Sequence, residues 1–146
     1  MSGALRLDSY RPEDQSAVVD LWQRCGLVVP WNDPVADIAL ARETGHGDIL
    51  VLRDDADLIG AVMVGHDGHR GWIYYLAVDP RRRGEGLGRR LVSACEDWVT
   101  ARGLPKIQLM VRASNREVQD FYAGAGYERS DVAVLQRWLA PKANER

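Results

Sequence analysis

The sequence predicts a mixed α/β (α+β) fold: a central, mostly antiparallel twisted sheet of about six to seven strands flanked by about four helices, in the order β-α-α-β-β-β-α-β-α-β(-β). Three observations predict it. Three apolar stretches follow one another across short polar turns between residues 49 and 78, which reads as a meander. The third runs straight into a basic, glycine-spaced loop and then a helical stripe of Leu87, Leu91, Cys95, Trp98 and Val99. Several strands are apolar on both faces, as in a sheet covered by helices on each side.

Taken in order, Leu5, Leu7 and Ser9 alternate with Arg6 and Asp8, as in a strand with one buried face. Arg11-Pro12-Glu13-Asp14 opens a helix, with proline and acids where a first turn favours them. Ala17, Val18, Leu21, Trp22 and Cys25 form its apolar face, and Gly26 closes it. In Pro30-Trp31-Asn32-Asp33-Pro34, Asp33 caps a second helix begun by Pro34 and carrying Val35, Ile38 and Ala39. Capping accounts for Asp33 and Pro34 but not for Trp31. Trp31, Asn32 and Asp33 are therefore candidate walls of a substrate pocket.

Gly45-His46-Gly47 breaks the chain before the strand of Ile49, Leu50, Val51 and Leu52. Asp54-Asp55-Ala56-Asp57 turns it back through Leu58 to Val64, and residues 66–71 make the next turn into the aromatic-rich strand 72–78. After the loop, Arg102-Gly103 ends the helix and residues 107–111 form a strand. Asn115 starts a last helix with Val118, Phe121, Tyr122 and Ala125, stopped by Gly126. Residues 127–139, with Val132, Val134 and Trp138, read as a final strand or hairpin, and a short polar tail follows.

At 146 residues the chain has the length of a single domain, taken as residues 1–146. A core of that size needs neither disulfides nor metal. The net charge of −2 gives no general case for a nucleic-acid or membrane partner. Cys25 and Cys95 fall at apolar helical positions and read as reduced thiols, and no Cys/His cluster has metal-ligand spacing, so no metal is expected. No apolar run approaches the roughly 20 residues of a membrane span, and the first residues carry no signal-peptide pattern. The expected compartment is cytoplasmic.

Residues 76–91 carry the chemistry. Gly84, Gly86 and Gly88 let the backbone lie close to a ligand, and successive N–H groups form a nest that the start of a helix extends. Arg81, Arg82, Arg83, Arg89 and Arg90 surround it with positive charge. A small polyanion fits such a loop. A nucleotide P-loop requires Lys-Ser/Thr after the last glycine, where Arg89-Arg90 stand. A dinucleotide fingerprint requires a glycine at position 89 and an acid ending the next strand, where Val111-Arg112 stand, which leaves a nicotinamide-dependent oxidoreductase remote.

The spacing Arg83-Gly84-Glu85-Gly86-Leu87-Gly88 resembles the Q/R-x-x-G-x-G/A signature of the GNAT acyl-CoA N-acyltransferases. The segment from Asn115 through Phe121-Tyr122 to Gly126-Tyr127 resembles the N-x(5)-F/Y-Y-x(3)-G-F/Y pattern of the same family. Pro30-Trp31-Asn32-Asp33-Pro34, Asp67-Gly68-His69-Arg70-Gly71 and the run from Arg102 to Gln108 add a likeness to small bacterial YpeA-type acetyltransferases. The resemblance implies the GNAT fold and an acetyl-CoA-dependent N-acetyltransferase. By it, Arg83, Gly84, Glu85, Gly86, Leu87, Gly88 and Arg89 hold the pyrophosphate of coenzyme A. Leu76, Ala77 and Val78 pair with the pantetheine amides, and an N–H near Leu76 or Ala77 faces the thioester oxygen. Asn115 contacts the pantetheine arm or the phosphates, Phe121 packs along the cofactor, and Tyr122 protonates the leaving thiolate. Read without the family, Asn115 is a helix cap and the two aromatics are core.

The pattern departs from the family at one point. Several GNAT enzymes place a glutamate on the strand before the loop; here strand alternation puts Trp72 and Tyr74 on the face of Leu76, with no carboxylate. A bulge would change that face. Tyr74 is the candidate to relay the proton through water, with Tyr75 as the alternative, while Asp67 and His69 fall in the preceding turn. The acceptor is a small-molecule or peptide amine, and Asp33 favours a cationic one. Neither cysteine lies in an acyl-enzyme motif, so transfer is expected to be direct, in a ternary complex. A non-catalytic acyl-CoA-binding or sensing module is the alternative function. The resemblance also admits a homodimer, for which the sequence specifies no interface.

Overall fold

The computed structural model describes residues 4–141. Strand β1 (Leu5–Ser9) leads through a 3₁₀ turn at Pro12–Asp14 to helices α1 (Gln15–Arg24) and α2 (Pro34–Glu43). Strands β2 (Gly47–Asp54), β3 (Asp57–His66) and β4 (Gly71–Val78) follow, then α3 (Leu87–Ala101), β5 (Ile107–Leu109) and α4 (Arg116–Gly124). The 5-stranded sheet runs in chain order. β1 to β4 are antiparallel neighbours, and β5 lies parallel to β4. A parallel neighbour cannot be reached by a hairpin, so α3 makes the crossover and is fixed against one face of the sheet.

Both faces are covered. On one, Leu52, Val62, Val64 and Ile73 pack against Leu87, Leu91, Cys95 and Val99 of α3 and Tyr122 of α4. On the other, Ile49, Val51, Ala61, Met63 and Ala77 pack against Val18, Leu21 and Trp22 of α1 and Ile38 of α2. Both cysteines are free; Cys25 donates its thiol to the Val78 carbonyl at 3.3 Å, and burial pushes the Cys95 thiol up to about 12. Arg53 of β2 clamps the turn before α1. Its guanidinium grips the Asp14 carboxylate with two bonds of 2.8 and 2.7 Å and reaches Asp8 at 3.1 Å.

Two expectations change. Leu7 is 38% exposed, because β1 is an edge strand covered less fully than its neighbours, and it is Asp8 that turns in towards Arg53. The sheet has five strands rather than six to seven: β5 stops at Leu109, and residues 127–139 form no strand. Beyond Tyr127 the described chain runs exposed with no neighbouring strand to complete a ladder. The mixed architecture is otherwise the expected one.

Candidate active site

β4 and β5 pair only from Gly71↔Ile107 to Ile73↔Leu109. β4 then continues to Val78 bonded to β3 alone, so its edge facing β5 is unpaired from Tyr74 onward. That edge offers backbone donors and acceptors with no strand partner, the Val78 carbonyl at its end accepting from the Cys25 thiol. A bulge shapes it: against β3 the register moves from Met63↔Tyr74 to Ala61↔Ala77, and Tyr75 takes a positive φ of 57°. The extra residue resets the alternation. Leu76 and Val78 now pack on the α3 side with Ile73, while Tyr75 and Ala77 join the α1–α2 side. Trp72 and Tyr74, which flank Ile73 and stack on each other, therefore do not share the face of Leu76, contrary to simple alternation.

The loop at the end of β4 uses its glycines for two reasons. Gly84 and Gly86 have φ of 83° and 77°, and a Cβ at either would meet nothing within 4 Å. The backbone conformation calls for glycine there, and open space lies over it. Gly88 is different: a Cβ would come within 3.1 Å of the Phe121 ring, so this glycine admits α4 against the start of α3. Gly86 is the N-cap of α3, whose first N–H groups carry no side-chain cap.

The arginines divide as well. Asp79, 2% exposed, accepts from the Arg81 backbone and side chain, and that guanidinium holds its carboxyl well below the usual range. Arg82 bridges Asp54 at 2.8 Å and Glu85 at 2.9 Å. Arg83, Arg89 and Arg90 make no ion pair among the described residues. Glu85 is thus neutralised by its neighbour and can offer a ligand only its backbone. A cleft of about 470 Å³ beside the loop is lined by Arg24, Asp57, Asp79, Arg81 and Arg82, and its three arginines and Asp79 are already engaged in ion pairs.

α4 supplies the aromatic wall. Asn115 caps it, accepting from the Val118 N–H at 3.2 Å. Phe121 lies over Gly88, and Tyr122, 7% exposed, is held edge-on by Phe121 and Tyr127 at 5.0 and 5.5 Å. The Tyr122 hydroxyl has no hydrogen-bond partner among the described residues. Burial pushes its pKa up, so the phenol is fully protonated at neutral pH.

On the opposite side, the Arg112 guanidinium sits 6.0 Å from the Trp31 ring, bringing the loop before α2 beside the loop after β5. Asn32 is exposed, and Asp33 accepts from Ala36 N–H as the cap of α2. The contact that sequence reasoning missed is Asp37, one turn along α2, which accepts from the Tyr75 hydroxyl at 2.7 Å. Tyr75 also stacks on Trp22 at 4.2 Å, and burial together with the Asp37 bond pushes its hydroxyl up. Only the bulge aims Tyr75 at α2, so no local pattern in the sequence signals the pair. Tyr74 is 41% exposed; burial and the Asp67 charge push its hydroxyl up. Asp67 accepts from the backbones of Arg70 and His69 and from Trp72, as a structural turn does, and lies a strand length (roughly 25 Å) from the loop. Among the described residues no three His, Cys, Asp or Glu side chains gather as a metal site.

Three comparisons bear on these features. The family profile described as "Acetyltransferase (GNAT) family" matches residues 13–127. A relative named Acetyltransferase ECA0875, from Pectobacterium atrosepticum, is 44% identical over 132 residues, covering 89% of this chain and 92% of the relative. Among solved structures, aminoglycoside N-acetyltransferase AAC(6')-Iy in complex with CoA has a TM-score of 0.81 at 15% identity, covering 96% of this chain and 98% of that one. Glucosamine-6-phosphate N-acetyltransferase from Arabidopsis thaliana has a TM-score of 0.71 at 17% identity, covering 92% and 99%. At those identities the structural likeness speaks for the fold.

Proposed function

Because the chain belongs to the GNAT acetyltransferase family, we propose that it moves an acetyl group from acetyl-CoA to a primary amine by direct attack in a ternary complex, as one domain acting in the cytoplasm. The observation that carries this reading is the unpaired edge of β4, followed along the chain by the uncapped start of α3, with Leu76 and Val78 packed against the same core cluster as Tyr122. The residues fit the cosubstrate. Backbone N–H groups from Gly84 to Gly88 and the free Arg83 and Arg89 take the pyrophosphate. The β4 edge at Leu76, Ala77 and Val78 takes the pantetheine amides, with the free amide group of Asn115 and the Phe121 ring along the arm.

Acetyl-CoA supplies the acyl group as a thioester. The acceptor nitrogen forms a bond to the carbonyl carbon, and the π pair moves to oxygen, where a β4 N–H near Leu76 or Ala77 stabilises it. Tyr75 receives the proton that the nitrogen loses while passing its own to Asp37, which is partly open to water. Tyr74 shares this strand, but its hydroxyl bonds to no carboxylate among the described residues. Return of the oxygen pair breaks the C–S bond, and Tyr122 gives its proton to the departing sulfur. Asp33 and Asp37 beside aromatic rings favour a cationic amine. The amine panel should begin with amino sugars, since relatives of this fold act on aminoglycosides and glucosamine-6-phosphate by name.

The first experiment is thermal melting with acetyl-CoA. A ligand that binds only the folded chain stabilises it by about 2.7 kcal/mol at one hundred times its dissociation constant. Gly86→Val is expected to cost about 1–2 kcal/mol through its positive φ and to abolish the shift. Free-thiol release with the amine panel then separates transfer from a binding-only module. No shift for the native chain overturns the reading. Asp37→Asn is expected to lower kcat about 100-fold near neutrality. The deficit should shrink at pH values where the amine is already unprotonated; a loss uniform across pH would assign Asp37 a purely structural role.

A further inference from the structure

Gly124 has no backbone reason to be glycine. It is the last residue of α4, its φ is not in the left-handed region, and the glycine that stops the helix is Gly126, with φ of 95°. Glycine is the poorest helix former after proline. What the position lacks is room: a Cβ there would stand 2.9 Å from Nη2 of Arg89. The guanidinium from the first turn of α3 lies in a notch in the last turn of α4.

Three further observations give that contact a purpose. Arg89 is the third residue of α3, where a cation meets the wrong end of the helix dipole, while the last turn of α4 offers it the right end. It makes no ion pair among the described residues, so no carboxylate there claims it. Finally, α4 approaches no other element extensively among the described residues and is held by side chains: Tyr122 in the core, Phe121 over Gly88, and Tyr127 just beyond it on Glu96. An element held at few points opens easily. Gly88 with Phe121 and Arg89 with Gly124 are two points at which α4 rides on the start of α3, beside the anion loop.

We propose that Arg89 is a positioning residue for Tyr122. It takes the pyrophosphate of acetyl-CoA with one edge of its guanidinium while the other stays in the Gly124 notch, so that binding at the far end of the cosubstrate seats α4 and the phenol two residues away. A guanidinium suits both tasks, because its donors fan out in one plane, where an ammonium is a single point of charge. Binding energy from a non-reacting part of the cosubstrate is thereby used at the reacting end. The inference rests on the acetyl-CoA reading above.

The test begins with Gly124→Ala. The new methyl meets only the far end of a flexible side chain, and alanine favours the helix, so the variant should melt at or above the native temperature. Its kcat with acetyl-CoA is expected to fall about 10- to 100-fold, with the KM for acetyl-CoA little changed. The native chain should lose kcat similarly with S-acetylpantetheine, which lacks the pyrophosphate, and the variant should turn over both cosubstrates alike. Arg89→Lys, which keeps the charge without the fork, should behave as Gly124→Ala does. A native kcat indifferent to the pyrophosphate, or a Gly124→Ala chain that loses only affinity, overturns the proposal. Amide hydrogen exchange needs no acceptor amine. The N–H groups of Ala125, Gly126 and Tyr127 close the end of α4 on the carbonyls of Phe121, Tyr122 and Ala123. They should gain protection when coenzyme A is added to the native chain, and not in the variant. No melting shift with acetyl-CoA overturns the acetyl-CoA reading and this inference together; a shift without the gain in protection overturns this inference alone.

Discussion

Replacing Tyr122 with phenylalanine lowers kcat by about 100- to 10,000-fold while leaving the melting temperature unchanged or slightly raised. The size is that of losing a positioned general acid. The stability result follows from the surroundings of the ring. Its hydroxyl makes no hydrogen bond among the described residues, and its neighbours are Leu87, Leu91, Cys95 and the rings of Phe121 and Tyr127. Removing that hydroxyl while keeping the ring breaks no hydrogen bond among the described residues and leaves the ring's packing in place. Steady-state thiol release and a thermal melt on one preparation decide it. A large drop in melting temperature with the loss of turnover would make Tyr122 a packing residue. Burial holds the phenol protonated well above neutrality, so it imposes no alkaline fall in rate between pH 7 and its ordinary value of 10.0.

Arg53→Met is expected to destabilise the fold by about 3–5 kcal/mol, the cost of stranding a buried charge. Asp14 is 8% exposed, and its carboxylate accepts two bonds from Arg53; Asp8, less enclosed, loses a third. At this chain length that corresponds to a melting temperature lower by roughly 10 °C. Urea unfolding and circular dichroism measure it. The pH dependence has a defined sign. The Arg53 bond holds the Asp14 carboxyl below its ordinary value of 3.8, so on acidification the unfolded chain takes up the proton first. The stabilisation is therefore complete above pH 3.8 and drains away as pH falls from there through the folded-state value. Arg53→Met should remove that acid limb. Replacing Asp14 by Leu in the same chain should recover part of the loss, because no carboxylate is then left unpaired there.

The helices and the first four strands were legible in the sequence because their signals are contiguous. Asp33 and Pro34 start α2, Gly86 and Leu87 start α3, and Asn115 starts α4, each where local chemistry puts a helix end. Residues 127–139 were not legible in the same way. Their alternation reports a strand, but a strand exists only where a neighbour supplies its ladder, and the chain's own fold supplies none. Leu7 shows the same limit at the other edge of the sheet: its apolar character does not reveal that β1 is poorly covered.

By itself the sequence determined the glycine-spaced basic loop, with its arginines and the helix start behind it, and the Asn115–Tyr122 pattern that accompanies it. These depend on φ preferences and hydrogen bonds within a few residues of chain. Tertiary structure alone decided the rest: how far β4 runs on past β5, that Asp54 claims Arg82 from 28 residues away, and that the bulge turns Tyr75 towards Asp37, 38 residues away. Each of these is a pairing between distant segments, fixed by strand register and packing, and a shift of one residue in β4 would reverse it.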